Sequence, residues 1–453
     1  MKNILLIGAG RSASTLIKYL LDNSQQENWK ITVGDISREL AKQKTGNHPN
    51  AHAIAFDVNS EQQRVSEIAK VDLVISMLPA TMHLSVAKEC LKQKKNLVTA
   101  SYVSKQMQDL DAEAKKAGVI FLNEIGLDPG IDHLSAMKVI DDVKAKGGTM
   151  VTFKSYCGGL VAPESNDNPW GYKFTWNPRA VVMAGQSGDS AGATAQYLEN
   201  GEIKYVPYTR LFSNVETITV DKLGKFEAYA NRDSLSYMEL YGLHDVKNML
   251  RGTLRQPGFC RAWDAFIQLG LTDDNCKVSN SEHTTYAELI GSFLPSSPGK
   301  GGSLKRKLAK FLHEKENSPV MKKLDWVGIL KNQKIGLKDS SPAEILLDLL
   351  MKKWSLKPHD KDMVVMQHEF EYKDPSQKSK VKRITSSLVV IGDDQVNTAM
   401  SKTVGLPLGI STKMILNGKI NLKGVHIPTV KEIYDPVLAE LENFGIRFIE
   451  KHS

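Results

Sequence analysis

The sequence predicts an α/β protein: a first domain on a doubly wound parallel sheet, then a mixed α/β domain and a helical domain. Three observations carry that expectation. Short apolar strands alternate strictly with helical stretches up to residue 126, the pattern of consecutive βαβ units. The pattern then turns to the polar–apolar alternation of antiparallel strands in MVTFKSYCGG (150–159), YKFTW (172–176) and VETITV (215–220). That alternation returns in KDMVVMQHEFEY (361–372) and VKRITSSLVVIG (381–392), which read as a hairpin of the same mixed sheet. Between them SYMELYG, DVKNMLRG, CRAWDAFIQLG and TYAELIGSFL read as helices. A chain of 453 residues exceeds one ordinary domain. The expected division is 1–130 completed by 395–453, then 131–234 with 355–394, and 235–354 as the helical part.

The first strand, KNILLIG, runs into a glycine turn and then into apolar residues at helical spacing, Leu16, Ile17, Leu20 and Leu21. Gly8, Gly10 and Ala13 form a G-x-G-x-x-A fingerprint. Gly8 permits the tight turn, Gly10 lets the backbone approach a pyrophosphate, and Ala13 lets helix and strand pack closely. The phosphate would rest on the amides at the helix N-terminus, which makes the first domain Rossmann-type. WKITVGD (29–35) ends in Asp35, 25 residues after Gly10, close to where an acid takes the ribose hydroxyls. This favours NAD. NADP stays open, because Arg11 and Arg38 lie near enough in sequence to meet a 2′-phosphate. HAIAFDV (52–58) with Asp57, and VDLVISMLP (71–79), bring residues to the carboxyl edge of the sheet, where adenine and nicotinamide-ribose contacts arise. A similar core that binds no nucleotide is the bland alternative. The helix HLSVAKECLKQ, the strand NLVTASY (96–102), a helix over 104–118 and the strand VIFLNEIG (119–126) complete the domain.

Two stretches at this edge invite chemistry. TASY puts Ser101 and Tyr102 at a strand tip, and NEIGLDPGIDH (123–133) gathers Glu124, Asp128, Asp132 and His133. Pro129 can open a helical turn with Asp128 as its N-cap, which leaves Asp132 and His133 in the first turn. His133 reads more readily as a packed histidine than as a ligand. A metal site needs three or four ligands at suitable spacing, and no such partner set is visible, so no metal is expected.

Apolar content of 41% and charged content of 24% suit a soluble globular protein. The net charge of +8 is concentrated in the lysine-rich stretch 299–323, a loop or exposed helix. A solvated face explains it better than a nucleic-acid site, and a mild positive bias helps attract anionic metabolites. Cys90, Cys157, Cys260 and Cys276 form no CxxC pair, so a disulfide framework is unlikely and a reducing cytoplasm fits. Met1 leads directly into a strand, and no apolar run approaches the ~20 residues of a membrane span. Downstream, Ser341-Pro342-Ala343-Glu344 is a capping box, and the last 60 or so residues have helix–helix–strand character.

Taken together, several segments resemble the saccharopine dehydrogenase family, glutamate-forming type, also called saccharopine reductase. They are GAG (8–10), ISMLP (75–79), VTASY (98–102), GLDPGIDH (126–133), SYCGGLVAPESNDNPWGYKFTWNP (155–178), NRDS (231–234), LRGTLRQPG (250–258) and AMSKTVGLP (399–407). The likeness runs in order over nearly the whole chain; the 299–323 stretch has no counterpart in it. It implies oxidative cleavage of L-saccharopine to L-glutamate and 2-aminoadipate 6-semialdehyde, or the reverse, by a homodimer. It implies substrate contacts from Ser101, Tyr102, Asp128, Arg232, Thr253, Leu254 and Arg255. Gly10, Arg11, Ser12, Asp35, Asp57, Met77, Leu78, Pro79, Leu127, Asp128 and Pro129 would line the cofactor. Fungal members prefer the phosphorylated cofactor and lack the acid that Asp35 supplies, so the resemblance implies an NAD-using type.

The chemistry agrees with these residues. A tricarboxylate substrate needs guanidinium forks, which Arg232 and Arg255 can supply. Its amine needs an anion, which Asp128 can supply, and proton transfer falls to Tyr102 and Asp128, with Cys157 or His133 as second choices. Two other classes remain open: a dehydrogenase reducing an imine on a polyamine precursor, of carboxyspermidine type, and a non-catalytic nucleotide sensor.

Overall fold

The computed structural model describes residues 1–186, 194–295, 302–375 and 381–453. The chain forms two compact units: Met1–Cys157 with Ser236–Val246 and Lys361–Ser453, and Gly158–Leu235 with Lys247–Asp360.

The first unit contains the parallel sheet. Its elements are β1 (Lys2–Ile7), α1 (Ser14–Ser24), β2 (Trp29–Asp35), α2 (Arg38–Thr45), β3 (Ala51–Ala55), α3 (Glu61–Ala69), β4 (Leu73–Ser76), α4 (His83–Lys92), β5 (Asn96–Thr99), α5 (Lys105–Gln108), α6 (Asp111–Ala117) and β6 (Ile120–Leu122). A seventh strand, Gly424–His426, comes from the C-terminal segment and pairs in parallel with β6. The order is Gly424–His426, β6, β5, β4, β1, β2, β3, so the chain winds one way and then the other from β1. The central strands are apolar throughout because helices cover both faces; Ile4, Leu5, Leu6, Val74 and Leu97 are all buried.

The helix Ala399–Leu416 explains the AMSKTVGLP stretch. Gly405 and Gly409 let it lie against Leu16 and Tyr19 of α1, and the Thr15 amide donates to Ser401 Oγ at 2.9 Å. The buried Asp362 carboxylate receives the Ala399 and Met400 amides at 2.5 and 3.0 Å, satisfying donors that a helix start leaves open. Burial pushes the Asp362 carboxyl up to about 6, with those amides opposing the shift. The expected hairpin is present, Asp362–Lys373 paired antiparallel with Val381–Ile391, and Ile449–His452 adds an edge strand.

Several boundaries differ from the sequence reading. The strand expected over 119–126 stops at Leu122, because Glu124 takes a left-handed conformation (φ 56°) that no strand continues through. The helix expected over 104–118 breaks into α5 and α6. After α7 (Ile131–Ala145), β7 (Thr149–Val161) carries the chain from the first unit into the second.

The second unit pairs Val215–Val220, Gly224–Ala230 and Asn248–Arg255 antiparallel, with the hairpin Thr194–Glu199/Glu202–Pro207 alongside. Asn248–Arg255 was expected to begin as a helix, from DVKNMLRG. Pairing with Gly224–Ala230 and with Thr194–Glu199 satisfies its backbone and overrides a weak helical preference. YKFTW is not a strand either: Tyr172, Lys173, Phe174 and Thr175 are all buried, so its alternation does not mark two faces, and among the described residues its ladder contact is a bridge from Phe174 to Ser355. Trp170, Phe259, Trp263, Phe266 and Trp354 pack there as an aromatic core. Ser341 caps the helix Pro342–Trp354 with the full reciprocal box to Glu344. In the basic stretch, 302 onward holds the helix Leu304–Phe311 and the start of Pro319–Val327, while 299–301 lie outside the described residues. Among the described residues no helix is long and apolar enough to cross a membrane.

Candidate functional site

The glycine turn sits at the carboxyl edge, between β1 and α1. At Gly8 (φ 101°) a Cβ would lie 2.8 Å from the Met77 carbonyl oxygen, so the first turn can press on the turn after β4 only with hydrogen there. Gly10 faces open space, with nothing within 4 Å of where its Cβ would be, which leaves room for a phosphate over the Arg11–Ala13 turn and α1. Ala13 is buried. Asp35 closes the far side: its carboxylate accepts from the Ala9 amide at 2.7 Å and from the Ser37 amide at 3.0 Å. Lys44 reaches over from α2 and donates to the Gly10 carbonyl and, at 2.9 Å, to Ser14 Oγ. Burial brings the Lys44 ammonium down to about 8, with Asp35 opposing. Arg38 is exposed and donates to the Ala53 carbonyl at 3.3 Å. Asp57 lies in the turn after β3, and Met77, Leu78 and Pro79 in the turn after β4. A glycine-opened phosphate bed beside an acid at the end of β2 fits a dinucleotide.

Ser101, Tyr102 and Asp128 come together at the same edge. The Tyr102 hydroxyl donates to Asp128 Oδ1 at 3.2 Å. Leu127 and Pro129 flank Asp128 in a tight turn, closed by the Gly126 amide on the Pro129 carbonyl and the Ile131 amide on the Gly126 carbonyl, each at 2.9 Å. The expected helix cap is corrected here. The α7 helix begins at Ile131 with Gly130 at its N-cap and no side-chain cap, and Asp132 turns back to accept from the Gly130 amide at 2.6 Å. Pro129 therefore precedes the helix, and the Asp128 carboxylate has no capping duty. Asp132 and His133 do occupy the first turn, and His133 is a packed histidine, fully buried.

Sequence reasoning missed His83. It opens α4, buried at 4% exposure, with Nδ1 2.8 Å from Ser76 Oγ and Nε2 2.6 Å from Ser101 Oγ, so it orients Ser101. Its place just after the turn at 77–79 was the available signal. Burial lowers its pKa from 6.5 to about 4, partly opposed by a backbone hydrogen bond at Leu78. The unfolded chain then takes up a proton more readily than the folded one. The stabilisation is complete above about pH 6.5 and is lost as pH falls from there through 4, at about 1.4 kcal/mol per unit and on the order of 3 kcal/mol in all. We expect the melting temperature to fall between pH 7 and 5 more steeply in the wild type than in His83→Gln; parallel slopes would remove His83 as the cause.

The remaining predicted residues are held otherwise. Cys157 is buried near the middle of β7 and takes part in no disulfide. Within the second unit, Arg232 is exposed on the turn after Gly224–Ala230, and Thr253 and Leu254 lie on Asn248–Arg255, with the Leu254 side chain fully buried. Arg255 is 5% exposed, its guanidinium 5.1–5.7 Å from the ring centres of Tyr172, Phe259 and Tyr229, and it donates to the Leu254 carbonyl and to the Tyr229 hydroxyl. Among the described residues no group of three or more His, Cys, Asp or Glu is placed to hold a metal ion.

Comparison with known proteins covers the whole chain. Residues 4–122 match the family model described as the saccharopine dehydrogenase NADP binding domain, and 126–446 the saccharopine dehydrogenase C-terminal domain. The chain is 35% identical to a saccharopine dehydrogenase [NADP(+), L-glutamate-forming] of Pyricularia oryzae, over 99% of each. It is equally similar (35%) to the mitochondrial alpha-aminoadipic semialdehyde synthase of Bos taurus, of which it spans 47%. Its structure resembles that of apo saccharopine dehydrogenase (L-Glu forming) from Saccharomyces cerevisiae, with a TM-score of 0.87 at 32% identity over the full length of both chains.

Proposed function

The chain belongs to the saccharopine dehydrogenase family, and from that membership we propose that it oxidises L-saccharopine to L-glutamate and 2-aminoadipate 6-semialdehyde, or runs the reverse, in lysine metabolism. The observation that carries the proposal beyond likeness is the Tyr102–Asp128 hydrogen bond at the edge where the dinucleotide bed opens. A nicotinamide dinucleotide, held by the Gly8–Ala13 turn, Asp35 and the 77–79 turn, would supply the hydride acceptor for oxidation of the carbon that was the lysine ε-carbon. Asp128 supplies the anion that holds the secondary amine and the iminium that replaces it. The Tyr102–Asp128 pair takes a proton from the attacking water and returns one to the departing glutamate nitrogen. Ser101, oriented by His83, contacts substrate, with Cys157 as a further proton-transfer candidate. Arg232 and Arg255 supply guanidinium groups for substrate carboxylates, with Thr253 and Leu254 as further substrate contacts. The domain division 1–130 with 395–453, 131–234 with 355–394, and 235–354 belongs to the same proposal, as does a cytoplasmic homodimer. The pairing of Gly424–His426 with β6 supports the first of these. Purified protein with saccharopine should build up the absorbance of reduced nicotinamide; no signal with NAD or NADP would sink the reading.

The Pyricularia relative is named for NADP and the matching family model is an NADP binding domain, whereas Asp35 is an acid at the end of β2, the residue type that takes ribose hydroxyls in NAD enzymes. We therefore propose NAD as the better cofactor, with Arg11, Arg38 and Lys44 able to admit NADP. Asp35→Asn removes the charge and keeps one acceptor oxygen, so either the Ala9 or the Ser37 amide loses its bond. It should raise the NADP-to-NAD ratio of kcat/KM about tenfold, equivalent to roughly 1.4 kcal/mol. A wild type that prefers NADP, with a ratio unmoved by the substitution, would return cofactor choice to the family pattern.

A further inference from the structure

One acid of the NEIGLDPGIDH stretch, Glu124, has no part in the chemistry above, yet it is buried and holds a left-handed backbone. Glu124 is 1% exposed and stands in the left-handed region at φ 56°, a conformation that costs a residue with a side chain about 1–2 kcal/mol. Every polar atom that it presents on its inner side is engaged. Its backbone amide donates to the Ser101 carbonyl at 3.1 Å, and its Oε1 accepts from the Val103 amide at 2.9 Å. The two bonds bracket Tyr102 from either side. On the other carboxylate oxygen, the Tyr237 hydroxyl donates to Oε2 at 2.9 Å and His133 Nε2 lies at the same distance. His133 Nδ1 meets the Tyr241 hydroxyl, and its ring packs on Tyr237 with centres 5.2 Å apart. His133 stands in the first turn of α7, so the network ties the Ser101–Val103 turn to the helix that follows the Asp128 turn.

We propose that Glu124 is a positioning residue for the reaction, holding the Ser101–Val103 turn so that the Tyr102 hydroxyl meets Asp128. The inference rests on the reading of Tyr102 and Asp128 given above. A residue needed only to end β6 could be glycine, which takes the same φ without strain. Glycine has no carboxylate to carry to the Val103 amide. The strain is therefore retained with a side chain whose two oxygens gather three donors from separate elements, and the segment they fix is the one bearing Tyr102.

A double-mutant cycle tests this. Glu124→Gln keeps one acceptor for the Val103 amide but places an NH2 against Tyr237 and His133. It should lower kcat about tenfold while the cofactor KM stays within about twofold, and should cost less than about twofold in a Tyr102→Phe background, because the residue acts through that hydroxyl. An equal loss in both backgrounds, no loss at all, or a loss that only follows the folded fraction by circular dichroism would overturn the inference. If Glu124→Gln fails to fold, Tyr237→Phe removes a single donor and leaves Glu124 in place. It should lower kcat about threefold, again only when Tyr102 is present. A wild type inactive on saccharopine, or a fully active Tyr102→Phe, defeats the reading of the site and the inference with it. An additive cycle on an otherwise well-behaved enzyme defeats the inference alone.

Discussion

Asp128→Asn should lower kcat by at least about a hundredfold, the loss expected when an essential proton-transfer or charge-stabilising carboxylate becomes neutral. The side chains are nearly isosteric, and the Tyr102 hydroxyl can still donate to the amide oxygen. The difference reported is therefore charge. Folding should hardly change, within about 0.5 kcal/mol of the wild type in urea unfolding. That follows from the structure: Gly130, and not Asp128, stands at the N-cap of α7, and no helix amide depends on the Asp128 carboxylate for a cap. A cap would have shown the reverse pattern, a loss of about 1 kcal/mol in stability with turnover intact. Near-normal kcat in Asp128→Asn would move proton transfer to Cys157 or to water.

Gly130→Ala should have the largest effect on stability. Gly130 sits at φ 146°, and an added Cβ would lie 2.0 Å from the Gly126 carbonyl oxygen and 2.2 Å from its carbon. These are backbone atoms that cannot swing aside. The Gly126 carbonyl also accepts the Ile131 amide, so moving it breaks the turn that presents Asp128. We expect at least about 3 kcal/mol of destabilisation and loss of activity even in the fraction that folds. Gly118→Ala is the control. Gly118 also has positive φ, 74°, but nothing lies within 4 Å of its Cβ position, so only the backbone cost of about 1 kcal/mol applies. Equal losses in the two variants would mean that the turn at 126–130 adjusts to a side chain, and the steric account would fail.

The legible parts of the site were those marked by local pattern. The glycine turn, Asp35 at the end of β2, and the strand tip at Ser101–Tyr102 all follow from short-range periodicity and turn chemistry. The illegible parts depend on partners far along the chain. His83 is one turn from Ser76, but its other ring nitrogen needs Ser101, 18 residues on. Tyr237 reaches Glu124 across 113 residues and Tyr241 reaches His133 across 108, distances at which no spacing rule speaks. Asn248–Arg255 misled for the same reason: its own residues suit a helix, and pairing with strands distant in sequence decides otherwise.

By itself the sequence determined the parallel sheet, its glycine turn after β1, the late hairpin and the Ser341 capping box, because each rests on residues within a few positions of one another. Only the tertiary structure decided what the acids of NEIGLDPGIDH do. Asp132 bonds its own helix start, Glu124 clamps the turn bearing Tyr102, and Asp128 is left to pair with the Tyr102 hydroxyl. The reason is physical: a carboxylate takes its role from the donors that surround it, and here those donors are brought from the turn after β5, from α7 and from the segment 236–246 only when the chain has folded.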